Sequence, residues 1–326
     1  MERIEPSSLG PGTVLVIGAG NIGQRLIALL AGHCPVVTVT RRHDQVPVLQ
    51  RLGARVLLAD LDKPDSLAGL AGIADALVHL APPPGQGEVD TRTVNLLRAL
   101  TSEPLLEGVS MLAQGLARPE PTAAEPRLRR LVYVSTTGVY GDCAGARVDE
   151  TTPVAPQSDR ARRRVDAERR LLDWGEAQQV PVTILRAPGI YAADRLPIER
   201  LRAGTPVLRT EDDVYTNHIH ADDLARICAA ALRGSASGVF NACDDSDIRM
   251  GDYFDRVADA FGLARLPRVA RAQARASIPA PLLSFMGESR RIANDRLKRE
   301  LGIVLLYPTI DEGIAAAVRD RANRGG

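Results

Sequence analysis

Lysine is nearly missing from this chain: of 41 basic residues only Lys63 and Lys298 carry an ammonium group. Chemistry that depends on a lysine therefore has two places to happen. Cysteine is sparse as well. Cys34, Cys143, Cys228 and Cys243 are scattered, form no CxxC pair and have no histidine at ligand spacing, so neither a disulfide framework nor a zinc site can be read from them. No metal site is expected. Charge of one sign is not in excess either, since the formal net charge is +1, and a global attraction to nucleic acid is excluded. Apolar runs stay well short of the roughly 18 residues that span a bilayer. The leading MERIEPSSLG holds no apolar stretch, so a protein without a membrane partner and with a cytoplasmic location is expected. What remains is ample: 326 residues, 45% of them hydrophobic, are enough to bury a sizeable core as one large domain or two lobes.

The segment TVLVIGAGNIGQRLIALLAG opens with an apolar, β-rich run, passes through glycines, and continues with Ile22, Leu26, Ile27 and Leu30 at helical spacing. It predicts a strand, a tight turn and a helix. Further short apolar runs follow at VVTVT, ARVLLA, ALVHLA, LRRLVYVST and PVTILRAP, separated by stretches such as DSLAGLAG and TRTVNLLRAL that can hold helices. This alternation predicts an α/β fold, a Rossmann doubly wound parallel sheet with crossover helices. An uninterrupted helix is expected from about Asp159 to Trp174. After Arg186 the chain becomes richer in loops, returns to a strand-like GVFNACDD, and ends in the helical stretches SRRIANDRLKRELG and DEGIAAAVRD. A smaller, interleaved C-terminal lobe is expected. The nucleotide-binding domain would cover 1–185 with 214–245, carrying a proline-flanked surface insertion at 101–127, and the substrate lobe 186–213 with 246–326.

Gly18, Gly20 and Gly23 form G-x-G-x-x-G directly between the first strand and the first helix. A dinucleotide needs glycine there for the tight turn, for close approach of the backbone to pyrophosphate, and for helix packing on the strand. The helix N-terminus beginning at Asn21 and Ile22 then offers backbone N–H groups and a positive dipole to the phosphates. The second strand ends VTVTRRHD, where a protein preferring NAD usually places an acid for the ribose hydroxyls. Here stand Arg41 and Arg42. Guanidinium groups clamp a 2′-phosphate with paired charge-assisted hydrogen bonds, so NADP(H) is the expected cofactor, with NAD(H) as the other candidate. Asp60 and Leu61, closing the third strand, flank the adenine unless Asp60 caps the next helix instead.

From here the chain resembles the extended and atypical branches of the short-chain dehydrogenase/reductase superfamily, which include NAD(P)-dependent sugar-nucleotide epimerases and dehydratases. The resemblance rests on the glycine loop, on VHLAPP and VYVSTTGVYG at the fourth and fifth strands, and on LRAPGIY, NHIHADDLA and GVFNACDD. It implies that Leu80, Ala81 and Pro82 border the cofactor, that the stretch from Pro188 to Tyr191 passes beside the nicotinamide, and that Thr136 hydrogen-bonds the reacting oxygen, the other reading of Thr136 and Thr137 being strand-end hydroxyls that cap backbone groups. A nucleotide sugar or similar polar metabolite would be the substrate, and a homodimer the assembly if the chain self-associates.

The superfamily's reactive pair is a tyrosine acid/base with a lysine four residues later, which lowers the tyrosine pKa. The resemblance puts Arg160 and Arg164 at those positions. The residue four places after each tyrosine is Thr137, Ala144, Arg195, Ile219, Val257 or Asp311, so no Y-x-x-x-K exists anywhere in the chain. A guanidinium stays protonated and cannot shuttle a proton near neutral pH. Arg160 and Arg164 either face the cofactor or an anionic substrate group, or belong to a solvated helix face. Proton transfer would fall to Asp90, Tyr191 or water, Asp90 serving otherwise as the N-cap of TRTVNLLRAL. Two functions follow as expectations: an oxidoreductase or epimerase-like isomerase with a degenerate site, or an NADP(H)-binding sensor that has lost the chemistry.

Overall fold

The computed structural model describes residues 12–101, 128–278, 283 and 286–325; the expected insertion at 101–127 lies, but for Thr101, outside the described residues. Seven strands form one sheet: β1 (Val14–Ile17), β2 (Val36–Thr40), β3 (Ala54–Leu58), β4 (Ala76–His79), β5 (Arg130–Thr136), β6 (Val182–Ala187) and β7 (Gly238–Asn241). Their order is β7-β6-β5-β4-β1-β2-β3. The ladders from β3 through β2, β1 and β4 to β5 are all parallel. Strand order reverses beside β1, which is the topological switch of a Rossmann sheet and the place where such sheets bind ligands. Fully buried parallel strands read as continuous apolar runs rather than alternating ones. VLVI in β1 and VVTVT in β2 fit that rule, every residue being buried, with Thr38 donating its hydroxyl to the Val16 carbonyl at 2.9 Å.

Helices α1 (Asn21–Leu30), α2 (Val46–Arg51), α3 (Thr91–Thr101) and α4 (Asp159–Gln178) flank the sheet. The longest, α4, starts at a Ser158 cap whose side chain accepts from Ala161 N at 3.3 Å, and it runs one turn past the expected Trp174. Gly175 makes that extra turn fit. A Cβ there would lie 2.4 Å from Val182 Cγ2, so only glycine lets the helix approach β6 this closely. DSLAGLAG, in contrast, holds only a 3-10 turn over Pro64–Leu67, because Gly69 and Gly72 adopt φ of +82° and +73°, which ends helical winding. No helix among the described residues is long and apolar enough to cross a membrane.

The chain gathers into two compact units: Met1–Ser135 with Ser158–Leu185 and Ala225–Val239, and Thr136–Gln157 with Arg186–Leu224 and Phe240–Gly326. The first is built on the sheet, with Leu15, Ile17, Leu77, Leu96, Leu131 and Leu171 in its core. In the second, short ladders replace a large sheet: Gly189–Tyr191 pairs in parallel with His218–His220, and Arg147–Val148 with Arg291–Ile292. The latter corrects the expected helix SRRIANDRLKRELG, of which only Asp295–Leu301 is helical. Tyr191, Val207, Tyr253, Phe254, Val257 and Ile310 form this unit's own core.

Candidate functional site

Three glycines serve three different purposes at the exit of β1. Gly18 has φ +102°, and a Cβ there would lie 2.6 Å from Ala81 N and 2.9 Å from the Leu80 carbonyl carbon. The loop thus closes on the end of β4, where Leu80 N and Ala81 N both donate to the Ile17 carbonyl, at 2.7 and 3.1 Å. Gly23 packs against the same turn, since its Cβ would fall 2.3 Å from Gly18 O. Gly20 is different: it stands at the N-cap of α1 with nothing within 4 Å of a built Cβ. Two glycines fill their space with backbone and the third leaves an open cradle over a helix N-terminus whose first turn holds no acid. That arrangement fits a pyrophosphate. Ile22 turns its side chain into the core, leaving its backbone for a ligand, and Asn21 Oδ1 accepts from Arg25 Nε at 3.2 Å.

The adenosine side of this cradle is charged and networked. Arg41 and Arg42 keep about three-fifths of their side chains exposed, at 61% and 60%. Arg42 forks onto Asp44, with Nε to Oδ1 at 3.1 Å. Arg41 Nη1 lies 3.6 Å from Asp62 Oδ2 and 3.9 Å from Asp60 Oδ2. Asp60 Oδ1 accepts from Asp62 N at 3.0 Å but caps no helix, since the 3-10 turn that follows has Lys63 at its N-cap; Leu61 is buried, its carbonyl accepting from Asn95 Nδ2 at 2.8 Å. The sequence reading missed Arg92. Its guanidinium donates to both Asp62 oxygens, at 2.8 and 2.7 Å, and to the Pro82 carbonyl at 3.0 Å, tying the loop after β3 to the loop after β4. It holds the Asp62 carboxyl below the usual carboxylate range. An arginine in the first turn of α3 looks like an ordinary surface residue until the fold brings Asp62 to it.

The proton-transfer candidates of the first unit are already engaged. Asp90 is fully buried, accepts from Arg92 N and Thr93 N at 3.1 and 3.2 Å, and takes the Thr93 hydroxyl at 2.8 Å. This is an N-cap for α3. Burial pushes the Asp90 pKa up. Because the Thr93 proton goes to Asp90, Thr93 Oγ1 accepts from His79 Nε2 at 3.1 Å, which fixes the tautomer of a buried imidazole that desolvation, helped by Arg164, pushes down to about 3. Arg164 itself donates to Tyr133 Oη and to the Val134 carbonyl, both at 2.8 Å. A tyrosine and a cation therefore do meet here, but burial outweighs the guanidinium and pushes Tyr133 up to about 12. It is no acid near neutral pH. Arg160, four residues earlier on α4, is exposed. Arg163, which the sequence reading passed over, donates to the Gly85 and Gly87 carbonyls and fastens the loop between β4 and α3.

In the second unit Thr136 is half-buried and its Oγ1 accepts from Gly138 N at 3.2 Å, so its own proton is left to donate. Tyr140 is buried, donates to Asn241 Oδ1 at 2.8 Å and carries the Arg186 guanidinium 4.8 Å from its ring centre. Half-buried Pro188 leads into the strand ending at Tyr191, whose hydroxyl donates to the Thr309 carbonyl at 3.3 Å. Burial raises the Tyr191 pKa far above its usual value, which removes it from proton transfer at physiological pH. Arg290 donates to the Gly141 carbonyl at 2.6 Å. Arg291 and Arg249 bring their guanidiniums 5.1 and 4.9 Å from the Tyr215 ring centre, and Tyr215, Arg249, Asp142 and Ser289 line a hollow of about 390 Å³. Among the described residues no group of three or more His, Cys, Asp or Glu side chains could hold a metal ion.

The model of a family described as the NAD dependent epimerase/dehydratase family matches residues 14–243, from β1 to just past β7. Protein YeeZ of Escherichia coli (strain K12) is 28% identical over 306 residues, covering 90% of this chain and 96% of YeeZ. The 4-hydroxy-2-methyl-3-oxo-4-farnesyl-3,4-dihydroquinoline-1-oxide ketoreductase of Stigmatella aurantiaca is 27% identical over 327 residues, covering 89% of this chain and 91% of that protein. Among solved structures, UDP-glucose 4-epimerase of Thermotoga maritima with UDP-glucose has a TM-score of 0.73, covering 96% of this chain and 100% of that one, at 15% identity, which is a likeness of fold alone.

Proposed function

The chain belongs to the NAD dependent epimerase/dehydratase family, and on that footing we propose an NADP(H)-dependent oxidoreductase or epimerase-like enzyme acting on a hydroxyl or carbonyl carbon of a nucleotide sugar or similar polar metabolite. The observation that carries the cofactor half is the open cradle at Gly20 over the N-terminus of α1. A nicotinamide cofactor, when bound, would supply hydride transfer. Gly20 and the first turn of α1 hold the pyrophosphate, Leu61 and Leu80 to Pro82 border the adenine, and Arg41 with Arg42 take the 2′-phosphate. Pro188 fixes the backbone of the following strand. Thr136 donates its free proton to the reacting oxygen. Arg160 and Arg164 supply fixed positive charge and no proton. Solvent is then the proton's source and sink. The substrate class draws on the similar ketoreductase of Stigmatella aurantiaca and the similarly folded UDP-glucose 4-epimerase of Thermotoga maritima.

Cofactor choice is tested by fluorescence titration. NADPH should bind more tightly than NADH, and Arg41→Ala/Arg42→Ala should weaken NADPH by about tenfold or more while NADH changes little, the scale of losing charge-assisted hydrogen bonds to phosphate. Equal affinities in the wild type would sink the phosphate-clamp reading.

The chemistry is tested by turnover. Wild type should be slow across a panel of nucleotide sugars with NADPH or NADP+, and Arg160→Tyr/Arg164→Lys should raise the rate by about a hundredfold, the low end of what general acid/base catalysis contributes. Family-typical rates in the wild type would refute the degenerate site. The engagement of Asp90, Tyr133 and Tyr191 also favours a second reading, a cofactor-bound sensor. Tight NADPH binding with no turnover on any substrate would select it.

A further inference from the structure

Four charges alternate along the adenosine edge of the first unit: Asp60, Arg41, Asp62 and Arg92. The two arginines do not share Asp62 equally. Arg92 takes it as a fork, Nε to Oδ1 at 2.8 Å and Nη2 to Oδ2 at 2.7 Å, the planar geometry in which guanidinium binds carboxylate best. Arg41 reaches the same Oδ2 only at 3.6 Å, beyond hydrogen-bond length. Arg92 is also fixed from its other side, where Nη1 donates to the Pro82 carbonyl at 3.0 Å, and its side chain is only 18% exposed. The Arg41 side chain is 61% exposed.

We propose that Arg92 is the positioning residue that sets the preference for NADP(H) over NAD(H), by occupying Asp62 so that Arg41 stays available to a 2′-phosphate. This rests on the NADP(H) reading above. With Arg92 in place the four charges balance; without it the edge carries one negative charge in excess beside the phosphate. Asp62 then also draws the nearest guanidinium, that of Arg41, into the fork Arg92 vacated. Both changes oppose a 2′-phosphate through repulsion and lost donors. Neither opposes a 2′-hydroxyl, whose proton a carboxylate accepts. Selectivity is thus controlled by a residue that needs no contact with the cofactor.

The experiment is titration of NADPH and NADH, followed by nicotinamide fluorescence, against the wild type, Arg92→Met, Arg92→Lys and Arg92→Met/Asp62→Asn. The ratio of the NADH to the NADPH dissociation constant should fall by about tenfold in Arg92→Met, as one exposed carboxylate acting at close range requires. Arg92→Lys, which keeps the charge without the fork, should fall between. The double variant should recover the wild-type ratio, because removing the carboxylate removes the need to hold it. A merely structural role for Arg92 would weaken both cofactors alike and would not be rescued at Asp62. A wild type that prefers NADPH with an unchanged ratio in Arg92→Met overturns the inference alone, as does a double variant that fails to recover. A wild type with no preference overturns the cofactor reading and the inference together.

Discussion

Gly20→Val should abolish binding of NADPH and NADH alike while leaving a folded protein whose stability changes by no more than about 1 kcal/mol, the usual scale of an N-cap substitution. Gly20 has φ −77°, a value any residue adopts, and a Cβ there meets no atom within 4 Å. The folded chain therefore tolerates the side chain, but the ligand does not, because an isopropyl group stands where the phosphate must approach the backbone. Gly23→Val is the contrasting control. Its Cβ would overlap Gly18 O at 2.3 Å, so it should cost stability by at least the roughly 1–3 kcal/mol of an overpacked core. Calorimetric titration with thermal melting separates the two. Wild-type affinity in Gly20→Val would mean that the cofactor lies elsewhere.

The second large effect is a dependence of stability on pH that one carboxyl imposes. Asp244 is 3% exposed; Ser246 N donates to its Oδ1 at 2.9 Å, and Oδ2 finds no partner among the described residues. Burial, with Asp245 and Asp223 adding to it against the Ser246 bonds, pushes its pKa up to about 8 from 3.8. Between those values the folded protein holds a proton that the unfolded chain has released, so stability falls as pH rises, by roughly 1.4 kcal/mol per unit. His79 and His218, both pushed down to about 3 by burial, work the other way: below 6.5 the unfolded chain takes up protons that the folded one refuses. The two effects oppose one another up to pH 6.5, and above it Asp244 alone of these three groups still titrates. Melting temperature should therefore drop between pH 6.5 and 8 in the wild type and stay level in Asp244→Asn, whose amide cannot ionise. Parallel melting curves across that window would show that Asp244 is already charged in the folded protein.

What was legible in the sequence was local. The strand, glycine turn and α1 lie within a single run of residues, so composition and spacing carry them whole. The missing tyrosine–lysine pair was legible for a different reason: four places before Lys63 and Lys298 stand Ala59 and Asn294, and that spacing holds wherever the chain folds. Partnerships between distant segments were not legible. Nothing near Arg92 in the chain points to Asp62, and Arg291–Ile292 reads as helix until Arg147–Val148 is brought alongside it. Asp90 stood between two roles because an acid before a helix is the same signal for a cap and for a buried base; only the hydrogen bonds from Arg92 N, Thr93 N and the Thr93 hydroxyl assign it. DSLAGLAG misled because its glycines adopt left-handed angles that no spacing announces.

The chain passes between its two units five times, after Ser135, Gln157, Leu185, Leu224 and Val239. On the ribosome this fixes an order of events. The β1–β4 half of the sheet is complete once His79 has emerged, and β5 joins it next, but β5 keeps an open edge until β6 is made and β6 until β7 arrives at Asn241. Unpaired parallel edges are where nascent sheets stick to one another. The second unit waits longer still, since its core needs Ile310 and Ile314 near the C-terminus. A truncation between Asn241 and Ile310 therefore releases a chain whose first unit is finished and whose second lacks Ile310 and Ile314 from its core, and neither unit can be cut out as one continuous piece.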